Sequence, residues 1–399
     1  MKKYLAFGFL HYFFSAVGQT FFISLFVASM TERMDWADNT FAGIYSAVTL
    51  VAAFVLPVIG KQIDRARVRY VSTITALLLL AGTLVLSFSQ ELALLVVGLF
   101  VVRLGGQGVL PLIGSTTIGR YFKERRGRAL SLSIIGISVA EVVLPPLATY
   151  AILAYGYGLV WALAGAALVV LFIPAVWLLV RRYDDFQRAD TVAEAQLREA
   201  PGAAEEISWT RTQVLRDRRF HLLLPIIVFI PFVFTGLVFN QSVIAEQRGY
   251  TAELMAYGLS AYGLVRVIFL LFGGDVIDRV GAARMLRFAL IPAVMGLLVL
   301  LLVEASWSVP LFFGLAGVSA GIDSVMMPAL WADRYGPRYL GSIKSAVRVF
   351  VVVASAAAPI VFSYGLELGV ETWVGVLVGY GGVCFLLAWV EFSRGVVRG

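Results

Sequence analysis

The sequence predicts an all-α integral membrane protein, with twelve transmembrane helices in two pseudo-symmetric six-helix bundles. Three observations carry that prediction. Of 399 residues, 60% are hydrophobic and only 14% are charged, with a mean hydropathy of +0.87. Apolar runs of the roughly 20 residues that a helix needs to cross the hydrocarbon core follow one another along the chain. Polar punctuation also recurs at one spacing of 214 residues (60 to 274): Gly60, Asp64 and Arg65 return as Gly274, Asp278 and Arg279. In the same register Arg120, Tyr121, Gly127 and Pro145 return as Arg334, Tyr335, Gly341 and Pro359, which marks a duplicated unit.

A bilayer leaves no water for exposed amides, and the apolar runs are too long for barrel strands, so the spans are expected to be helices. The first, about 4–30, follows Lys2 and Lys3 as a signal peptide would, but it is long and spotted with polar residues and shows no small-residue cleavage pattern before Glu32. The second, about 38–59, stops at the Gly60 punctuation, and the third, about 70–89, follows the basic loop that ends at Arg69. The fourth, about 92–118, contains Arg103 and a cluster of glycines; the fifth, about 128–154, contains Glu141 and Pro145–Pro146. The sixth, about 157–180, runs into a charged stretch at 181–218 without a membrane-length apolar run. Spans seven to twelve are placed at about 220–245, 251–273, 283–303, 307–332, 341–365 and 372–393. The resulting domains are an N-terminal half (1–180), a solvated linker (181–218) in which part can form an interfacial helix, and a C-terminal half (219–399).

Basic residues crowd one set of loops: Lys61, Arg65, Arg67 and Arg69; Arg120, Lys123, Arg125, Arg126 and Arg128; Arg279, Arg284 and Arg287; Arg334 and Arg338. The opposite loops hold Arg33 and Arg248 among Glu32, Asp35, Asp38, Glu253, Glu304 and Glu371. The positive-inside rule puts both termini of this multi-pass chain in the cytoplasm of a cell whose plasma or inner membrane holds it. The pI near 9.5 therefore reflects topology and not nucleic-acid binding. One cysteine, Cys384, and two histidines, His11 and His221, exclude a disulfide framework and make a metal or haem cluster improbable, so no cofactor is expected. No Gly-x-Ser-x-Gly elbow is present, so the chain does not read as an enzyme.

Two stretches resemble a known family. Gly60 to Arg69 reads G-K-Q-I-D-R-A-R-V-R and Gly274 to Arg284 reads G-D-V-I-D-R-V-G-A-A-R, both similar to the G-x-x-x-D-R-x-G-R-R/K signature of the major facilitator superfamily. Arg67 stands where the second copy keeps Gly281. The resemblance implies a secondary transporter in which Gly60, Asp64, Arg65, Gly274, Asp278 and Arg279 gate the pathway. Glycine lets helix ends approach, and neighbouring opposite charges bridge them and then separate. From Arg120 the chain reads R-Y-F-K-E-R-R-G-R-A-L-S-L-S-I-I-G, similar to the corresponding stretch of monocarboxylate-transporter-like members. That similarity implies small organic anions as cargo.

Ionisable groups at membrane depth are costly, about 2.5 kcal/mol or more each, so they mark where function is sought. Five stand out: Arg103 on span four, Glu141 on five, Arg266 on eight, Asp323 on ten and Arg348 on eleven. Three arginines against two carboxylates leave one positive charge for an anion, and arginine's planar fork matches a carboxylate. Arg266 is the first candidate for that role, with Arg103 and Arg348 beside it. Asp323 is placed to pair with Arg348 or with Arg266, and Arg103 with Glu141. A carboxylate that alternates between pairing with arginine and releasing it titrates with conformation, which makes Asp323 and Glu141 candidates for proton coupling, and His11 a weaker one. Asn240 and Gln241 complete the candidate substrate site, although interhelical hydrogen bonding explains them equally well. The expectation is a transporter of small organic anions, foremost monocarboxylates, in the lipid bilayer and functional as a monomer. Transport of neutral or sugar-like solutes, or a sensor or scaffold without flux, are the alternatives.

Overall fold

The computed structural model describes residues 2–34, 38–63, 67–88, 91–122, 126–180, 209–335 and 340–395. Among these residues every regular element is a helix and no strand occurs. Eleven helices are long and apolar enough to cross a membrane, and a twelfth span results when Lys2–Gly18 and Thr20–Met34, bent by 42°, are taken together as span 1. Span 2 is Asp38–Ile63, span 3 Val68–Phe88, span 5 Arg126–Tyr155 and span 6 Tyr157–Leu179. Span 4 is built from Leu92–Val102, a π-helical stretch Arg103–Val109 and Leu110–Tyr121. Span 7 is Arg218–Phe239 continued by Gln241–Arg248; span 8 is Ala252–Val280. Span 9 joins Ala282–Ala289 to Ile291–Leu302, and spans 10, 11 and 12 are Ser308–Tyr335, Leu340–Leu366 and Val370–Gly395.

The spans lie where the apolar runs put them, but several of them, spans 1, 4 and 7 among them, are broken in ways the run lengths did not show. Span 1 tightens to a 3₁₀ turn at Ser15–Gly18 and becomes extended at Gln19 (φ −84°, ψ 153°) before resuming as helix at Thr20. Span 4 widens to a π-helix over Arg103–Val109, where Gly105, Gly106 and Gly108 weaken the regular ladder. These two irregular stretches cross backbone to backbone. A Cβ on Gly106 would lie 2.6 Å from the Cα of Gly18, and a Cβ on Gly18 would strike the carbonyl oxygen of Val102. Span 7 pauses at Asn240, whose amide closes the last turn on Gly236.

The described residues divide into two compact units whose borders run through spans 1, 2 and 5. One takes residues from 1–19, 51–140 and 151–205, the other from 20–50, 141–150 and 206–399. In the first, Phe7, Phe14, Leu79, Ile113 and Phe172 are fully or almost fully buried in one core. In the second, spans 8 and 10 pack at the closest approach that glycine permits. A Cβ on Gly317 would lie 2.6 Å from the carbonyl oxygen of Tyr262, and one on Gly321 would run into Phe269. Lipid is as apolar as a leucine side chain, so helices associate through close packing of this kind more than through hydrophobic burial.

Candidate functional site

Span 5 carries two consecutive prolines inside its helix, Pro145 and Pro146. Proline has no N–H, so the carbonyls four residues earlier, those of Glu141 and Val142, lose their helical donors. The Val142 carbonyl finds a substitute in the Ser260 hydroxyl of span 8, which donates to it at 2.7 Å. The loosened turn thus holds span 8 beside Glu141, one and a half turns before Arg266.

Arg266 and Glu141 form an ion pair there. Nη1 of Arg266 donates to both carboxylate oxygens, at 3.0 and 3.2 Å. The carboxylate is buried, with side-chain exposure of 4%, and the guanidinium side chain is 17% exposed. The pair engages a single nitrogen of the fork. Nε of Arg266 is buried and has no hydrogen-bond partner among the described residues. The neighbouring Tyr262 side chain is also hydrogen-bonded to the guanidinium and holds the group in place. The guanidinium carbon lies 5.9 Å from the centroid of the buried Tyr262 ring, one turn earlier on span 8. Tyr262 in turn stacks on Phe234 at 4.0 Å with an interplanar angle of 20°.

Asp323 of span 10 is half-buried and interacts electrostatically with Arg266 and Tyr262, without a hydrogen bond or ion pair among the described residues. The glycine approach of spans 8 and 10 accords with its position, because a Cβ on Gly321 would run into Phe269 and lie 3.7 Å from the Arg266 carbonyl oxygen. The assembled cluster therefore contains one guanidinium and two carboxylates. Its chemistry is that of an arginine fork with Nη1 on a resident counter-ion, Tyr262 hydrogen-bonded beside it, and Nε without a partner among the described residues.

Other candidates lie elsewhere. Arg103 is 1% exposed and donates through Nη1 to the Gly18 carbonyl at 2.7 Å, an acceptor that the break in span 1 leaves available. Arg348 is exposed on span 11 and makes no ion pair among the described residues. Between the two pairings open to Asp323, the structure brings it to Arg266. Asn240 donates to the carbonyls of Gly236 and Pro359 at 2.9 and 3.2 Å, and the Gln241 amide donates to Ser24 Oγ at 2.9 Å. Both amides are buried and tie spans 1, 7 and 11 together, although Gln241 Oε1 has no hydrogen-bond partner among the described residues. His11 is fully buried in the other unit, with Nδ1 2.9 Å from the Phe7 carbonyl, Nε2 2.9 Å from Ser72 Oγ, and the Phe7 and Phe172 rings against it.

Of the gating set, Asp64 and Arg65 lie outside the described residues. Gly60, Gly274 and Asp278 fall within the helices of spans 2 and 8, and Arg279 is exposed in the last turn of span 8. Sequence reasoning missed Tyr262 and Ser260. The signal was available for Tyr262, since residues four apart share a helix face and Arg266 had been singled out.

Comparison with known proteins is consistent across sequence and structure. The family model described as Major Facilitator Superfamily matches residues 8–359 and 241–394. An MFS-type transporter of Gibberella moniliformis (strain M3125 / FGSC 7600) is 21% identical over 384 residues, covering 94% of this chain and 88% of its own. Among solved structures, a bacterial homolog of the human lysosomal transporter Spinster, in an inward-facing and unoccupied conformation, superposes with a TM-score of 0.70. That match has 14% identity and covers 98% of this chain and 97% of the other. The peptide transporter POT in complex with sulfate superposes with a TM-score of 0.68 at 14% identity, covering 98% and 94%.

Proposed function

Because this chain belongs to the Major Facilitator Superfamily, and is thus a multi-pass membrane transporter and not an enzyme, we propose that it carries small organic anions, foremost monocarboxylates, by alternating access. The observation that carries this reading is the partly occupied Arg266 fork. Its Nη1 is held by Glu141, and its buried Nε has no hydrogen-bond partner among the described residues. A carboxylate bound side-on at Nε would satisfy that edge with a charge-assisted hydrogen bond.

Charge balance supports proton coupling. Arg266 already has Glu141 and Asp323 nearby, so an incoming anion adds a third negative charge to one positive. Uptake of a proton with the anion restores the balance, on Glu141 in exchange for the guanidinium or on Asp323 beside it. In this reading the halves 1–180 and 219–399 rock about the site, the linker 181–218 and both termini are cytoplasmic, and the Asp64–Arg65 and Asp278–Arg279 copies latch the inner ends. One monomer in the cell membrane suffices.

Reconstitution of the purified protein into liposomes, with labelled monocarboxylates and with or without an acid-outside pH gradient, tests the proposal. Wild type is expected to accumulate at least one anion when the outside is acid, and Arg266→Ala to lose that flux. Asp323→Asn is expected to lose gradient-driven accumulation while retaining anion exchange. The specific pairing of Arg266 with Glu141 also favours a second reading, in which the cargo is a neutral or sugar-like solute and the pair is a gate. Flux of a neutral solute that carboxylates do not inhibit would establish it.

A further inference from the structure

The chain re-enters the described structure at Trp209 as a short helix, Arg211–Arg216, lying before span 7. Six residues do not sustain a helix alone, so its stability comes from its attachments. Thr210 and Gln213 form a reciprocal capping box at its start. Val214 is buried, the Trp209 N–H donates to the Tyr335 carbonyl at 2.9 Å, and the two rings lie 5.6 Å apart. At the other end Asp217 uses both carboxylate oxygens: Oδ1 accepts from the Arg219 N–H at 3.0 Å and Oδ2 from the Tyr335 hydroxyl at 3.0 Å. The buried Tyr335, the last residue of span 10, thus holds the short helix at two points.

What this clamped segment displays is positive. Arg211, Arg216 and Arg218 are exposed and make no ion pair among the described residues, and the acid between them is already engaged by Arg219 and Tyr335. Asp333, exposed near the same end of span 10, leaves the group net basic. Trp209 is 38% exposed beside them. Arg218 opens span 7, whose apolar run begins within its first turn, which puts the segment next to a helix long and apolar enough to cross a membrane. Topology by itself needs only basic residues in a loop; here the capped helix carries Arg211 and Arg216, with Trp209 just before it and Arg218 at the start of span 7, on a backbone tethered to Tyr335 at two points.

We propose that Trp209, Arg211, Arg216 and Arg218 form a docking collar for the phosphate headgroups of anionic phospholipids in the adjacent leaflet. Charge complementarity selects that occupant, the guanidinium fork matches phosphate geometry, and indole rings favour the headgroup level. Through Tyr335 the collar is joined to span 10, which also carries Asp323.

The full-length protein in detergent, titrated with phosphatidylglycerol or with phosphatidylcholine and read by retained lipid in native mass spectrometry, tests this. Wild type is expected to retain phosphatidylglycerol in preference, less so as salt rises. Each arginine is expected to contribute about fivefold in affinity, so the combined Arg211→Gln, Arg216→Gln, Arg218→Gln variant should lose on the order of 100-fold. Replacement of all three by lysine should keep part of the preference. A Gln variant with wild-type helicity and thermal stability that still retains phosphatidylglycerol as tightly as wild type overturns the proposal. So does a wild type that binds both lipids equally.

Discussion

Two of the membrane-depth arginines, Arg103 and Arg266, are used differently. Arg103 sits where the broken span 1 crosses the π-helical part of span 4, 1% exposed, with Nη1 on the Gly18 carbonyl. Arg266 sits where span 8 meets the proline-loosened turn of span 5, with Nη1 on a carboxylate and Nε buried without a hydrogen-bond partner among the described residues. The first guanidinium supports a backbone carbonyl that an irregular helix leaves available; the second is attached to a charge that can leave. Depth alone therefore does not distinguish a packing arginine from a recognition arginine. The distinction lies in what each fork holds and whether part of it is unfilled.

The most direct way to break this contrast is to remove each arginine in turn. Arg266→Ala should lower initial uptake on the order of 100-fold, corresponding to about 3 kcal/mol from lost charge-assisted hydrogen bonds to the cargo, while the purified protein still elutes as a folded monomer. Arg103→Ala should act on folding instead, destabilising by about 3 kcal/mol and lowering yield in a thermal-stability assay, with the surviving fraction keeping its substrate affinity. Equal loss of stability in both variants would erase the contrast.

A smaller effect is expected from shifting the backbone under Arg266 without touching its charge. Gly317→Ala places a methyl 2.6 Å from the Tyr262 carbonyl, so spans 8 and 10 must separate. Uptake should fall roughly tenfold, mainly through a raised KM, in keeping with overpacking costs of about 1–3 kcal/mol. Tyr262→Phe keeps the stack on Phe234 and removes only the hydroxyl. Its expected loss is about threefold to tenfold in kcat/KM, measured from concentration-dependent initial rates, against no change in melting temperature.

Most of the fold was legible because the signals for it are local. Apolar run length located the spans. The residues of the site were legible one at a time but not as partners. Glu141 and Arg266 belong to different halves of the chain, 125 positions apart, and the charge pattern is compatible with several pairings. What decides among them is the crossing of spans 5, 8 and 10. That crossing depends on a serine replacing a lost helical donor and on glycines facing a particular carbonyl. The break at Gln19 was hidden for the same reason, since it lies where Gly18 meets Gly106 and Val102 of span 4, contacts that run length does not reveal. The gating motif illustrates the converse: its spacing is plain in the sequence, yet Asp64 and Arg65 fall outside the described residues.

The smallest expected effect concerns the carbonyl that Pro146 leaves without a helical donor. Ser260→Ala removes the hydroxyl that donates to Val142 at 2.7 Å, and the neighbouring oxygen from Ala256 offers no proton in its place. A neutral hydrogen bond contributes about 1 kcal/mol, so stability should fall by that amount. Transport should respond more than stability does, because the same bond sets how span 8 presents Arg266 to Glu141 one residue away on span 5. A fall of about fivefold in uptake, restored by Ser260→Thr, is the expected result. A variant with unchanged flux would show that the ion pair alone holds the two spans in register, and that the double proline serves only to bend span 5.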